Sequence, residues 1–167
     1  IYMDTADFLF PRDLEISQTS FKKVLFVGSC LSRDYVIKLR TINPDTIYDY
    51  ILFNNASDLP EKSRDEIAGY DFQYIQIPLR SVLTDAVIRI ADNDSSENPI
   101  NWLELGKQNI DAMLDKALTY NSSAGLLTFV SNFIVPQGRV SPSLLEQDSD
   151  NDLVRVIREL NHYLSGQ

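Results

Sequence analysis

The chain has 167 residues, 44% of them hydrophobic and 23% charged, which suits one globular domain with a substantial core. A formal net charge of −9, with no basic cluster to offset it, argues against a nucleic-acid backbone as partner. No apolar run approaches the roughly 20 residues that a membrane helix needs.

The opening "IYMDTADFLFPRDLEIS" is acidic and lacks the basic-then-apolar order of a signal peptide. A single cysteine rules out an internal disulfide, and a free thiol survives best in a reducing compartment, so a cytoplasmic protein is expected. One His and one Cys are too few for a zinc finger or a His-rich metal site. Neither a metal nor a cofactor is expected.

Four apolar runs have strand character. The first is short and β-branched, residues 24–27. The second, "IYDYILF", covers 47–53. In the third, "FQYIQIPL" over 72–79, Phe72, Tyr74 and Gln76 share one face while Gln73, Ile75 and Ile77 share the other. The fourth, "GLLTFVSNFIV" over 125–135, is the most apolar. Runs apolar on both faces suggest a parallel sheet covered on both sides.

Helical patterns lie between these runs. Residues 31–39 follow the first strand at once. Leu103, Gly106, Ile110, Met113, Leu114 and Ala117 recur at helical spacing, with Asn98 as the expected N-cap and Pro99 at the first helical position. Leu153, Val156, Ile157, Leu160 and Leu164 form a last stripe, and Ser149 with Asp152 resembles a capping box. Between them, "SVLTDAVIRIA" fits helix or strand. The stretches "DNDSSENP" and "EQDSDND" read as solvated loops, since neither has the spaced carboxylates, Gly and closing Glu of a calcium loop. The alternation predicts one three-layer, doubly wound α/β domain with a mostly parallel sheet and flavodoxin-like topology.

The stretch "KKVLFVGSCLSRDY" carries the chemistry. In such a sheet, ligands bind beyond the carboxyl ends of strands, where Gly28, Ser29 and Cys30 fall. Gly28 permits a tight turn. The helix that follows aims its N-terminal amides at whatever the turn presents. A cysteine there is expected to ionise readily and act as a nucleophile, and the amides to hold an oxyanion. The opposing reading is a small apolar plug, because free cysteine is among the most buried residue types.

"VLFVGSCLSRD" resembles the first block of the SGNH, or GDSL, hydrolase superfamily, in which strand one runs into Gly-Asp-Ser and a helix. Gly28 matches the Gly, Ser29 the Asp, and Cys30 stands where that family has its nucleophilic Ser. Bacterial branches carrying Gly-Ser-Cys or Gly-Asn-Cys, among them GSCFA-type domains and capsule-biosynthesis proteins that resemble acyl esterases or acyltransferases, are more similar still. The close match covers residues 24–34.

The resemblance implies an esterase or acyltransferase acting on an ester or thioester of a carbohydrate or small metabolite. It also implies oxyanion donors from the loops after the next two strands. Those loops read "FNNASDLP", with Asn54 and Asn55 as candidates, and "IPLRS", with Arg80 placed to bind a carboxylate or phosphate. The family's Gly is missing from the first loop and its Gly-x-Asn-Asp from the second.

The family ends in Asp-x-x-His, and here only Glu159-x-x-His162 imitates it. The apolar stripe of that helix puts His162 on its polar side with Arg155 and Arg158, so an exposed Glu–His pair is expected. The chain is therefore read as an N-terminal portion of a longer protein or a member without the dyad. Three functions stand beside one another: an acyl-transfer enzyme, a non-catalytic module binding a small or carbohydrate ligand at the same strand ends, and a flavodoxin-like nucleotide or response-regulator module. The third lacks paired acidic residues after strand one, and Gly-Ser-Cys is not a phosphate loop.

Overall fold

The computed structural model describes residues 20–83, 101–135 and 153–167. Four strands, β1 (Lys23–Gly28), β2 (Ile47–Leu52), β3 (Phe72–Ile75) and β4 (Thr128–Val130), form one all-parallel sheet in the order β2-β1-β3-β4. Between and after them run α1 (Cys30–Ile42), α2 (Arg64–Ala68), α3 (Leu79–Val82), α4 (Trp102–Ala117), α5 (Thr119–Ala124) and α6 (Leu153–Ser165). This is the doubly wound α/β architecture that the alternating pattern predicts. No described helix is long and apolar enough to cross a membrane.

The described helices cover the two sheet faces unequally. One face carries Leu25, Val27 and Ile75 and packs into the larger core with Ile67 of α2, Val82 of α3, Ile110 and Met113 of α4, Tyr120 of α5 and Ile157 and Leu160 of α6. The other carries Val24, Phe26 and Tyr48, and of the described helices α1 packs there, through Val36 and Leu39, over β1 and β2.

The predicted stripes of α4 and α6 are the buried ones: Gly106, Ile110, Met113, Leu114 and Ala117 on α4, and Leu153, Val156, Ile157, Leu160 and Leu164 on α6. Gly106 meets the Leu160 side chain, and a Cβ on it would stand 2.8 Å from Leu160 Cδ2, so the glycine lets the two helices approach.

Several boundaries differ from expectation. The N-cap of α4 is Asn101, whose side chain accepts from the Glu104 amide, rather than Asn98. β3 stops at Ile75, because Pro78 and Leu79 turn the chain into α3. β4 is three residues long, where the apolar pattern spans eleven. Apolar content there serves core packing beyond the ladder: Leu126 and Phe133 are buried on either side of the strand. The short helices α2 and α5 have no strong apolar stripe. α2 is instead held by a full capping box between Ser63 and Glu66. Asn98, the Ser149–Asp152 box, the two acidic loops and the rest of "SVLTDAVIRIA" beyond Leu83 lie outside the described residues.

Candidate functional site

The site grows from the end of β1. That strand lies between β2 and β3, so its carboxyl end is flanked on both sides by other strand ends. Gly28 is its last residue and Ser29 is the N-cap of α1, with its side chain accepting from the Leu31 amide at 3.3 Å. Cys30 is therefore the first helical residue. It is exposed and unpaired with any other cysteine, so it is not an apolar plug.

Gly28 has no positive φ; the described residue with one is Gly125. Its role is close approach rather than turn geometry. A Cβ on Gly28 would stand 2.3 Å from Ser32 Oγ and 3.0 Å from the Gln76 carbonyl oxygen. The missing side chain lets the first turn of α1 settle against the chain just past β3.

Two residues that the sequence reading missed organise this corner. Gln76 Oε1 accepts from Ser29 Oγ at 3.2 Å and from Ser32 Oγ at 2.5 Å. The Tyr50 hydroxyl, on β2, donates to the Gly28 carbonyl at 3.1 Å and to the Ser29 carbonyl at 2.7 Å. Both sides of the turn are thus pinned, by the segment just past β3 through Gln76 and by β2 through Tyr50. Burial raises the Tyr50 phenol above its ordinary pKa; Arg33 opposes this, and Cys30 and Asp34 reinforce it. The phenol stays a donor across the physiological range. A signal for Gln76 was present: it is a polar residue on the same strand face as Phe72 and Tyr74. Tyr50 carried no such mark among the apolar residues of β2.

The next two strand ends also converge. Ser81 Oγ, in α3, donates to the Asn54 carbonyl at 2.5 Å, tying the loop after β2 to the helix after β3. This brings the neighbourhoods of Asn54, Asn55 and Arg80 to the carboxyl end of the sheet. All three side chains are exposed. Ser29, Cys30, Asn54, Asn55 and Arg80 thus lie on loops and helix starts at one sheet end, as their positions in the sequence predict.

His162 and Glu159 are exposed on α6, whose buried stripe points the other way. Among the described residues, no imidazole or carboxylate is hydrogen-bonded to the Cys30 thiol, and no group of His, Cys, Asp and Glu side chains could hold a metal ion. No protein-family model matches the chain, and no curated protein or solved structure matches it either.

Proposed function

We propose that the Gly28–Ser29–Cys30 turn is the nucleophile site of an SGNH-like acyl esterase or acyltransferase-type domain, acting on an ester or thioester of a carbohydrate or small metabolite. The observation that carries this reading is the exposure of Cys30 at the first position of α1, at the carboxyl end of a central parallel strand.

The chemistry follows from that placement. The Cys30 thiol gives its proton to a base, and Sγ attacks the acyl carbon. The carbonyl π pair moves to oxygen, and the amides that open α1 hold the resulting oxyanion. Collapse expels the alcohol or thiol, which takes up the proton, and leaves a Cys30 thioester. Water or an acceptor hydroxyl then attacks that thioester. Asn54, Asn55 and Arg80 orient the substrate from the two neighbouring strand ends. Among the described residues no imidazole or carboxylate is hydrogen-bonded to Cys30, and on this reading the general base comes from residues outside those described.

A second reading is favoured by one observation, the absence of an imidazole or carboxylate bonded to Cys30 among the described residues. On it, the same strand ends bind a small or carbohydrate ligand without turnover.

p-Nitrophenyl acetate distinguishes the two readings. The acyl-transfer reading expects p-nitrophenolate release by the protein and an acetyl group on Cys30 in the intact mass, both lost in Cys30→Ala. No release above that variant, and no adduct, leaves the binding module.

A further inference from the structure

A helix opens with four amides that have no partner within it. Ser29 satisfies those of Leu31, Ser32 and Arg33 in α1. Its Oγ accepts from the Leu31 amide at 3.3 Å, and its carbonyl accepts from the Ser32 amide at 3.0 Å and the Arg33 amide at 3.4 Å. The amide left over is that of Cys30, which meets no acceptor among the described residues. Of the first turn of α1, this N–H alone can meet a ligand oxygen without giving up a bond it already makes.

The peptide unit that carries this N–H is fixed from its other side. The Ser29 carbonyl and the Cys30 N–H share one planar peptide and point in opposite directions. The Tyr50 hydroxyl donates to that carbonyl at 2.7 Å and, more distantly, to the Gly28 carbonyl at 3.1 Å. The Gly28 carbonyl has a nearer donor of its own, the Phe53 amide at 2.7 Å. The Ser32 and Arg33 amides approach the Ser29 carbonyl from α1, and Tyr50 approaches it from β2. A rotation of this peptide plane would have to break bonds to both elements.

The hydroxyl acts on the strength of the donor as well as on its aim. Hydrogen bonds in a chain polarise one another, so a proton given to the Ser29 carbonyl makes the Cys30 N–H a better donor. A donor aimed before charge develops costs no reorganisation when the charge appears. Burial, first, and the neighbouring Cys30 hold the Tyr50 phenol above its ordinary pKa against the pull of Arg33. The phenol stays neutral and puts no second negative charge beside a thiolate or an oxyanion. Tyr48, also on β2, has its hydroxyl elsewhere: it accepts from Asn43 Nδ2 at 3.5 Å, at the C-terminal end of α1.

We infer that Tyr50 is a positioning residue for the Cys30 site: through the Ser29 carbonyl, its hydroxyl aims and polarises the Cys30 amide, the donor that meets the negative oxygen of an acyl group under attack. The effect on rate rests on the acyl-transfer reading. The aim of the amide does not, since the carbonyl or carboxylate oxygen of a ligand bound without turnover would meet the same N–H.

The test follows p-nitrophenyl acetate turnover and, by NMR, the amide proton of Cys30. Tyr50→Phe keeps the ring and removes the donor. It is expected to lower kcat roughly tenfold while KM stays within about twofold, because the lost stabilisation arises only as the oxyanion forms. The Cys30 amide proton is expected to move upfield as its polarisation falls. A ring-fluorinated tyrosine in place of Tyr50 keeps the hydroxyl and strengthens it as a donor, so it should move the same proton downfield; it decides the matter if Tyr50→Phe does not fold. Tyr48→Phe should leave both kcat and the Cys30 amide as they are. If the unmodified protein shows no turnover, the acyl-transfer reading falls and the proton shifts decide for Tyr50 by themselves. The inference is overturned by a Cys30 amide proton that stays in place in either Tyr50 variant. It is overturned too by an active protein in which Tyr50→Phe leaves kcat unchanged, with or without a rise in KM, or by equal changes in Tyr48→Phe, which would trace the effect to a general loosening of β2.

Discussion

The fully buried Ser32 hydroxyl donates to Gln76 Oε1 at 2.5 Å, tying the first turn of α1 to the chain just past β3. Gln76 also accepts from Ser29, the residue that caps α1. The orientation of the helix that presents Cys30 therefore depends on a side chain from the segment just past β3.

This clasp gives an ordered pair of stability losses. Ser32→Ala removes one donor from an acceptor that keeps Ser29, and should cost about 1 kcal/mol. Gln76→Leu leaves the buried Ser32 hydroxyl without its acceptor and should cost about 2–3 kcal/mol. Urea unfolding monitored by the Trp102 fluorescence reads both. A Gln76→Leu loss smaller than that of Ser32→Ala would contradict the arrangement.

Gly28→Ala tests the close approach. The new methyl would overlap Ser32 Oγ and press on the Gln76 carbonyl, so a loss of about 1–3 kcal/mol is expected from overpacking. Removing Ser32 Oγ relieves the worst overlap. The double variant Gly28→Ala/Ser32→Ala should lose measurably less than the sum of the single variants. Strict additivity would show that the two residues do not share this space.

At the opposite end of the sheet, the Tyr70 hydroxyl donates to Asp49 Oδ2 at 2.6 Å, and Lys23 Nζ lies 3.3 Å from the same oxygen. The Tyr70 hydrogen bond is the main cause that holds the Asp49 carboxyl below its ordinary pKa, with burial opposing and Lys23 helping. A carboxylate with a depressed folded-state pKa contributes stability above its unfolded value, and that stability is lost as pH falls through the folded value. The acid limb attributable to Asp49 therefore lies below about pH 4. Tyr70 itself is shifted upward, first by burial and then by Asp49, so its contribution is present below about pH 10 and lost on further alkalinisation. In Tyr70→Phe, the Asp49 carboxyl followed by NMR should titrate at higher pH than in the unmodified chain. An unchanged midpoint would show that Tyr70 does not set it.

Gln73 is fully buried on β3, and its Nε2 donates to Thr128 Oγ1 at 2.7 Å. Among the described residues its Oε1 meets no hydrogen-bond partner. An unsatisfied buried acceptor is costly, and Thr128 keeps its own bond to the Leu126 carbonyl when Gln73 is lost. Gln73→Leu should therefore be neutral or stabilise by about 1 kcal/mol in the same urea measurement. A loss greater than that amount would mean the amide has a partner in solution.

The alternation of strands and helices, and the stripes of α4 and α6, were legible because burial imposes a period on the residues that pack. The site was legible only in part. Gly28, Ser29 and Cys30 are contiguous, so local sequence reveals them as a strand-to-helix corner. Gln76 and Tyr50 reach that corner from the segment just past β3 and from β2, through contacts separated by 47 and 21 residues, which no local period encodes. Gly28 was read as permitting a tight turn, whereas its φ is not positive and what its missing side chain admits is the close approach of Ser32 and Gln76. His162 was placed on the wet side of α6 from its stripe, and it is exposed. His162→Ala should accordingly change stability by no more than about 0.5 kcal/mol.

The most direct measurement is the rate at which iodoacetamide modifies Cys30 at neutral pH in the native chain, set against the same chain in urea. An accessible nucleophile at the start of α1 predicts native modification at least as fast as that of the unfolded chain. Modification of Cys30 only once the chain unfolds would contradict it, because the thiol would then be closed off from any substrate at the end of β1.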